Sequence, residues 1–241
     1  MPTVATLQRA NHGSHFRAYG LRGVAELIDP FLGVDHAWMS APTFPPHPHA
    51  GVSAVSYVFL DSETGINNHD SIGTRNLIRP GGLHWTTAGR GVVHEEVPAE
   101  SGKTVHSLQI FVGLAPEKRD IAPFPLMLEP SDIPVVQLPG VKVRVPAGSF
   151  GDVRSPLNPP TDVTMLDISL EEGAVLEVPV TAGHCAFVMP IFGTVAVDGQ
   201  SFGRDDLKLP VFPTQAAPRT VALRAAHGGG KVVLFSGRPL R

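Results

Sequence analysis

Two short motifs in the first half of the chain carry side chains that bind transition metals: His47-Pro48-His49 and His94-Glu95-Glu96. In a β-strand, residues two positions apart project from the same face, so each motif presents two donors to one point. The combined set is three imidazoles and one carboxylate, from His47, His49, His94 and Glu96. Such a nitrogen-rich set suits Fe, Ni, Cu, Mn or Zn better than Ca or Mg.

Histidine is concentrated around these motifs. Seven of the eleven histidines fall between residues 36 and 106: His36, His47, His49, His69, His84, His94 and His106. Imidazoles are costly to bury unless they are hydrogen-bonded or bound to a metal, so this concentration indicates a site in the first half. At this frequency of histidine either motif alone can arise by chance, and ordinary hydrogen-bonded histidines are the alternative to a metal site.

The same four donors allow two kinds of metal site. On a six-coordinate iron they leave two positions open, which dioxygen or a bidentate organic ligand can occupy. On a four-coordinate zinc they close the coordination sphere, as in a structural site. The ligand types do not decide between these two sites.

Composition and charge exclude several classes of protein. The formal net charge of -3 gives no basic excess for binding a phosphate backbone, so we expect no direct nucleic-acid partner. A single cysteine, Cys185, cannot form an intrachain disulfide, and the N-terminus does not resemble a secretory signal, so we expect a cytoplasmic protein. The most apolar segment, Cys185–Val197, is interrupted by Pro190 and too short for a membrane anchor.

Apolar segments of strand length, rich in Val and Ile, follow one another along the chain. Such a pattern is typical of β-sandwiches and barrels. The predicted strands are Val52–Leu60, Asn76–Ile78, Leu83–Thr87, Val105–Leu114, Val141–Val145, Val163–Leu170, Val175–Val180, Cys185–Met189, Thr194–Val197, Val221–Leu223 and Lys231–Phe235. Helical periodicity is confined to two short pieces, 115–120 and 203–207.

A proline-rich segment separates the two halves of this pattern. Residues 115–139 hold six prolines between better strand patterns on either side. Because proline fixes the backbone, this segment is expected to be an ordered connection that is stiffer than a Gly/Ser linker. The sequence therefore predicts two β domains.

Several linked motifs in the first half resemble the pirin family. Their order and spacing agree with the family over residues 29–113. This agreement is far more specific than the His47-Pro48-His49 motif alone. The matching stretches are Asp29-Pro30-Phe31-Leu32, Asp35-His36, Pro46-His47-Pro48-His49-Ala50-Gly51, His69-Asp70-Ser71-Ile72-Gly73, Arg79-Pro80-Gly81-Gly82 and Trp85 to Glu96.

The resemblance implies a bicupin, an all-β chain of two antiparallel cupin barrels packed face to face. We expect residues 1–125 to form an N-terminal cupin domain with the metal site, and residues 126–241 a C-terminal cupin domain without one. The family's metal ligands fall on His47, His49, His94 and Glu96. Iron is the usual metal of the family, so Fe(II) is expected here, with Ni, Cu, Mn and Zn as alternatives.

This chain departs from the usual family pattern at a few positions near the predicted site. An acidic residue is common where this chain has Val52-Ser53-Ala54, and Asp and Gln are common where it has Gly82 and His84. These changes leave the ligands intact but affect the groups around them. His84 is either a proton acceptor near the metal or, in the reading we favour, an ordinary strand residue.

The resemblance implies two different functions. Family members resemble quercetin 2,3-dioxygenases, in which dioxygen opens the ring of a flavonol and carbon monoxide is released. This chain would then take a small aromatic, flavonol-like substrate, with Glu96 as both metal ligand and base. The alternative is a redox-sensitive, iron-binding regulator without catalysis, whose protein partners are transcription factors. A metal that only stabilises the barrel is a third interpretation.

Two further features are expected to be structural. Cys185 lies in an apolar strand, where a lone cysteine is an inert core residue rather than a reactive thiol. Gly228-Gly229-Gly230 does not follow the strand-to-helix pattern of a phosphate-binding loop, and it is expected to form a turn before the last strand.

Overall fold

A computed structural model of the protein describes residues 2–240. Among these residues, helix is limited to α1 (Ala25–Ile28) and two 3-10 turns, Pro116–Lys118 and Arg204–Asp206, which fall inside the two pieces predicted to be helical. Neither α1 nor the 3-10 turns have the length and apolar character that a helix needs to cross a bilayer. The remaining regular structure consists of β-strands.

The strands fall into two groups along the chain. Those of the N-terminal half are β1 (Thr3–Thr6), β2 (Gln8–His12), β3 (Phe16–Leu21), β4 (Phe31–Met39), β5 (His47–His49), β6 (Val52–Val58), β7 (Ile66–Asp70), β8 (Arg75–Ile78), β9 (Leu83–Thr87), β10 (Val92–Pro98), β11 (Val105–Gly113) and β12 (Phe124–Leu128). Those of the C-terminal half are β13 (Val135–Leu138), β14 (Val141–Ala147), β15 (Ser149–Phe150), β16 (Val153–Arg154), β17 (Val163–Leu170), β18 (Val175–Val180), β19 (Cys185–Val197), β20 (Gln200–Gly203), β21 (Lys208–Phe212) and β22 (Arg219–Gly237).

The first barrel consists of two sheets that face each other. A seven-stranded sheet has the order β12-β9-β6-β11-β4-β3-β2, and a four-stranded sheet has the order β5-β10-β7-β8. Apolar side chains from both sheets meet at one end of the interior, where Met39 and Val58 pack with Ile66 and Ile78. The rest of the interior is open to polar residues.

The second barrel is built from one nine-stranded sheet. Its main path is β1-β21-β19-β22-β17-β14-β13, and β18 and β20 pair with the long strands β22 and β19. Its interior is an apolar core to which both halves of the long strands contribute, as Val221 and Val232 of β22 illustrate. A short ribbon of β15 and β16 lies beside it.

The two barrels pack face to face through a second apolar core. The outer face of the seven-stranded sheet supplies Val55 and Ile110, and the second barrel supplies Met165 and Phe187. Phe31 of β4 contacts the second barrel edge-on, with its ring centroid 5.2 Å from that of Phe187. The all-β prediction and the arrangement of two barrels in one chain are therefore confirmed.

Some strand pairings cross the predicted division between residues 125 and 126. Strand β1 pairs with β21 of the second barrel, and β12, which spans the division, pairs with β9 of the first. The proline-rich segment 115–139 is ordered, as expected, but it also contributes β12 and β13 to the edges of the two large sheets. The connection is thus part of both barrels.

Of the two features expected to be structural, Cys185 agrees with its prediction and the glycine turn differs from it. Cys185 is buried, its thiol lies 3.1 Å from the Asp29 carbonyl oxygen, and burial raises its pKa to about 11, so it is a core residue as predicted. The glycine turn was predicted to separate two strands, whereas β22 runs continuously through it. Gly228 and Gly229 take left-handed backbone angles, with φ of 84° and 77°, which only glycine adopts readily.

A buried polar network joins the barrels. The Tyr57 hydroxyl donates a 2.7 Å hydrogen bond to Asp167 of β17 and accepts one of 2.7 Å from Arg144 of β14. Lys231 lies 3.2 Å from the other oxygen of Asp167. Burial and the charge of Asp167 raise the pKa of Tyr57 well above its ordinary value, so the hydroxyl keeps its proton.

Replacing Tyr57 with phenylalanine is expected to destabilise the protein. The Tyr57→Phe variant leaves Asp167 and Arg144 buried without one partner each, which costs about 1–3 kcal/mol of unfolding free energy. Urea unfolding measures the loss, with Tyr19→Phe as the matched control, because the half-buried Tyr19 ring packs on Trp38 outside the network. Equal stability of the two variants would contradict the proposed role of the network.

Candidate metal centre

The two histidine motifs meet because β5 pairs with β10. The strands are antiparallel, with His47 directly opposite His94 and His49 opposite Val92. Pro48 points outward between the two histidines of β5, where a missing backbone N–H is tolerated in an edge strand. His47 and His49 therefore share the inner face of the small sheet with His94.

The three imidazoles form a compact cluster. Their candidate ligand nitrogens all lie within 4.8 Å of one another. The ring centroids are 4.9 Å apart for His47 and His49, and 4.8 Å apart for His94 and each of the other two. The Nε2 atoms of His49 and His94 approach to 3.0 Å. Among the described residues, this is the group of histidine, cysteine and acidic side chains whose spacing fits a metal ion.

The surroundings keep His49 and His94 neutral. Burial, and secondarily the neighbouring imidazoles, lower the pKa of both residues to about 4. The Nδ1 atom of His47 lies 3.0 Å from the Pro45 carbonyl oxygen, to which it donates, so Nε2 is the nitrogen left to bind a metal. The Nδ1 atom of His94 is buried and has no hydrogen-bond partner in residues 2–240.

Glu96 lies on the same strand as His94, two residues further along, but it is not part of the compact cluster. Its Oε2 accepts a 2.7 Å hydrogen bond from the Ser56 hydroxyl, on the opposite sheet. Burial raises the pKa of Glu96, and the hydrogen bond from Ser56 opposes that rise. The carboxylate is thus held at the edge of the cluster with a raised affinity for a proton.

A row of polar side chains crosses the seven-stranded sheet opposite the histidines. Asp35 of β4 is the cross-strand neighbour of Gln109 in β11, which in turn neighbours Ser56 in β6. His84 of β9 continues the row as the neighbour of Ser56. All four side chains face the interior of the first barrel, while their apolar sequence neighbours face the second barrel.

The hydrogen bonds within this row have one direction. The Ser56 Oγ lies 2.7 Å from Glu96 Oε2 and 3.0 Å from the oxygen position of the Gln109 side-chain amide, whose oxygen and nitrogen exchange places on a rotation of about 180°. A serine hydroxyl has only one proton, and an ionised carboxylate only accepts, so Ser56 donates to Glu96 and accepts from the Gln109 amide nitrogen. This orientation also gives a partner to Gln109 Nε2, which is otherwise buried without one.

His84 lies beside this row, away from the histidine cluster. Its ring nitrogens lie 2.9 Å from the Thr86 hydroxyl, 3.3 Å from the Asn76 amide and 3.4 Å from the Asn68 amide. Burial lowers its pKa. It is therefore a hydrogen-bonded interior residue near Glu96, close to the structural interpretation that the sequence favoured.

The cluster opens into a cavity of about 260 Å³ inside the first barrel. Three phenylalanines form its apolar walls, and Arg22 and Asp35 lie in the wall formed by β3 and β4. The lining includes His47, His49, His94, Glu96, Gln109, Phe16, Phe44, Phe111, Arg22 and Asp35. The cavity thus combines a nitrogen-rich end with aromatic walls.

The sequence reasoning missed the polar residues of the opposite sheet. Ser56, Gln109 and Asp35 lie within strands whose remaining side chains are largely apolar. The alternation of side chains along β11 could have revealed Gln109, because this residue lies on the opposite face of the strand from Leu108 and Ile110. A polar residue on an otherwise buried face indicates a lined cavity.

The residues present fit a divalent transition metal. Three imidazoles converge, and the Nε2 atoms of His49 and His94 lie 3.0 Å apart. Imidazole is a preferred ligand of Fe, Ni, Cu and Zn. His47 also has the outer hydrogen bond that orients a typical metal-binding histidine.

Comparisons with known proteins agree with this architecture. A family model described as Pirin matches residues 14–112. Pirin-like protein 2 of Arabidopsis thaliana is 36% identical over 76% of this chain, and the match spans 56% of its own length, so this chain covers just over half of that relative. Pirin of Mus musculus is 34% identical over 89% of this chain and 73% of its own. A Pseudomonas aeruginosa protein named "Putative quercetin 2,3-dioxygenase PA3240" is 29% identical over 89% of this chain and 77% of its own.

Solved structures share the whole fold. GK1651 of Geobacillus kaustophilus superposes with a TM-score of 0.89 and 28% identity, over 99% of this chain and 96% of that one. Quercetin 2,3-dioxygenase of Acinetobacter baumannii gives a TM-score of 0.86 at 24% identity, over 99% and 86% of the two chains. The bacterial pirin YhhW of Escherichia coli, in complex with nickel(II), gives 0.76 at 18%, over 99% and 100%. These last two similarities concern the fold.

The neutral histidine cluster is expected to make the metal-free protein sensitive to acid. His49 and His94 have a pKa of about 4 in the fold, against an ordinary value of 6.5, so the unfolded chain binds more protons between those values. The free energy of unfolding should be unaffected by these groups above pH 6.5 and should fall as the pH drops from 6.5 towards 5. Urea unfolding of chelator-treated protein across this range measures the decline.

A double variant provides the control for this pH dependence. The His49→Gln/His94→Gln protein should lose less stability than the wild type between pH 6.5 and 5, because two of the responsible groups are gone. His12→Gln, at an exposed position of β2, should keep the wild-type slope. An identical slope in all three proteins would argue against the cluster as the cause.

Proposed function

This chain belongs to the pirin family, and on that premise we propose that it is a metal-dependent oxidoreductase with flavonol 2,3-dioxygenase activity. The convergence of three imidazoles at the end of an aromatic-walled cavity carries this proposal. The names of the Pseudomonas aeruginosa relative and of the Acinetobacter baumannii structure support the reaction class. In the proposed reaction, dioxygen opens the flavonol ring and carbon monoxide is released.

We assign the metal to His47, His49, His94 and Glu96. The first three supply neutral nitrogen donors, and Glu96 supplies one negative charge from the same inner face of β10 as His94. A divalent metal bound by this set keeps a net positive charge, which attracts a phenolic hydroxyl and acidifies it. Fe(II) is the proposed metal, and the nickel(II) complex of YhhW makes Ni the first alternative.

Glu96 is suited to take the proton of that hydroxyl. Burial raises the pKa of its carboxyl, which makes it a stronger base than an exposed glutamate. The Ser56 hydroxyl holds Oε2 at 2.7 Å, so the carboxylate has a fixed orientation before a substrate enters. Ser56 and Gln109 therefore act as positioning residues behind the base.

The aromatic walls are suited to a flat substrate. Phe16 and Phe44 meet edge to face with ring centroids 5.0 Å apart, and Phe111 lies against His49 with centroids 5.5 Å apart. Phenyl rings bind another ring by stacking or edge contacts and exclude water from it. They therefore orient an aromatic substrate and shield its reacting atoms.

Loss of one histidine should abolish both metal binding and turnover. The Fe(II)-loaded wild type is expected to consume flavonol and dioxygen and to release carbon monoxide, whereas His94→Ala should lower metal affinity and flavonol consumption by more than about 100-fold. Elemental analysis and a spectrophotometric assay under air measure the two effects.

His69→Ala is the matched control for this experiment. His69 lies on β7 of the same small sheet, but its side chain is exposed on the outer face, so metal content and turnover should stay at the wild-type level. Flavonol loss in the wild type that is no faster than in His94→Ala, or a wild type that retains no metal after reconstitution, would rule the proposal out.

The Gln109→Leu variant tests whether the hydrogen bonds from Gln109 to Ser56 and from Ser56 to Glu96 position the carboxylate. Leucine keeps much of the volume but cannot donate to Ser56, so Glu96 loses its fixed orientation and turnover or metal affinity should drop by about 10–100-fold. Because the phenylalanine walls of the cavity are unchanged in this variant, KM should change less than kcat. The control is Gln137→Leu, on the edge strand β13 outside the cavity. Comparable kinetics of the two variants would refute the positioning role of Gln109.

A further inference from the structure

An ion pair in the cavity wall has no part in the chemistry proposed above. The Arg22 guanidinium donates to the Asp35 carboxylate, and its other terminal nitrogen lies 3.0 Å from the Leu21 carbonyl oxygen. The side chains are 38% and 21% exposed, and both line the same cavity as the histidine cluster. The pair therefore faces whatever occupies the cavity.

Two glycines make room for this pair. Gly20 is the cross-strand neighbour of Asp35, and a Cβ atom placed on it would lie 2.5 Å from the Asp35 carboxylate. A Cβ atom on Gly33 would lie 2.7 Å from the Arg22 guanidinium. Any other residue type at either position would push the ends of these two side chains aside. The two glycines of β3 and β4 thus leave the pair the space that it occupies.

The pair lies at the far end of the polar row from Glu96. Asp35 is two strands away from Ser56 along that row, with Gln109 between them. Neighbouring strands are about 4.8 Å apart, so the row places Asp35 about 10 Å from Ser56. A ligand that reaches both ends must be longer than a single aromatic ring.

The chemistry of the pair favours a hydroxyl group. A hydroxyl can donate to Asp35 and accept from Arg22 at once, whereas a carboxylate would be repelled by Asp35. A ring without a hydroxyl group would displace the water around both charges and could not replace the hydrogen bonds that this water makes. The pair thus discriminates among ligands by the group at their far end.

We propose that the Arg22–Asp35 pair is the specificity element of this cavity, and that it binds a hydroxyl at the end of a planar, at least bicyclic aromatic ligand remote from the metal. This inference rests on the proposed function, since the metal binds the near end of the ligand. It narrows the substrate class from aromatic chelators in general to those with a distal hydroxyl.

Binding of three flavonols tests the inference without turnover. Nickel(II)-loaded protein is titrated under argon with 3-hydroxyflavone, which has only the chelating oxygens, and with 3,7-dihydroxyflavone and 3,4′-dihydroxyflavone, which add a hydroxyl on one ring or the other. The wild type should bind one of the dihydroxyflavones about tenfold more tightly than 3-hydroxyflavone, the gain expected for a hydrogen bond to a charged group.

Two variants should remove this preference. In Asp35→Ala and Arg22→Met the preference should fall below about twofold, while 3-hydroxyflavone should bind at least as tightly as it binds the wild type, which also shows that the cavity is intact. Arg79→Gln is the matched control, because it breaks an exposed ion pair with Glu129, 2.9 Å long, outside the cavity. That variant should keep the full preference.

The possible failures are distinguishable. No binding of any of the three flavonols to the wild type would overturn both the proposed function and this inference. Equal affinity for all three, or a preference that survives in Asp35→Ala and Arg22→Met, would overturn the inference and leave the proposed function standing.

Discussion

The antiparallel pairing of β5 with β10 is the constraint on which the candidate site depends. It sets His47 directly across from His94, although the two residues are far apart in the sequence. A slip of one residue would turn the imidazoles of one strand to the outer face, because side chains alternate along a strand. A hydrogen bond just beyond this pairing opposes such a slip, since Gly51 donates to the Gly89 carbonyl at 2.7 Å. On the other side of β10, Ser71 donates to the Val93 carbonyl at 2.8 Å and fixes the position of β10 against β7.

The two barrels differ in what fills them, and this difference explains where the site lies. The second barrel is packed with apolar side chains from both ends of its long strands. In the first barrel, apolar packing is confined to one end, around Met39 and Val58, and a cavity lined by both aromatic and polar residues occupies the rest. Such an interior contributes little hydrophobic free energy. The stability of the first barrel therefore depends on the apolar core that the outer face of its seven-stranded sheet forms with the second barrel. Alternation along β11 serves both needs, because Leu108 and Ile110 join the core between the barrels while Gln109 faces the cavity.

The sequence predicts the parts of this protein in which one physical signal dominates. The apolar strand Val163–Leu170 has the predicted bounds because it is buried on both faces. The period of two in His47-Pro48-His49 correctly places both imidazoles on one face. The strands Ile66–Asp70 and Val92–Pro98 were not predicted, because they carry polar residues into the cavity on one face and expose the other to solvent. No local pattern distinguishes such strands from loops.

The site residues divide in the same way. Ligand types at short spacing are visible in the sequence, whereas Ser56, Gln109 and Asp35 become a row only through the register of three strands. Three imidazoles in contact also leave interior groups incompletely satisfied, because the 3.0 Å contact of His49 and His94 shares one proton between two nitrogens while His94 Nδ1 is buried without a partner in residues 2–240. Sequences break such local rules at functional sites and compensate for them elsewhere. Here the compensation is the seven-stranded sheet that faces the histidines, which the buried contacts of Tyr57, Asp167 and Arg144 join to the second barrel. A cluster that is unfavourable alone but held in place by its surroundings gains most from a cation, and this is the physical reason to assign a metal to it.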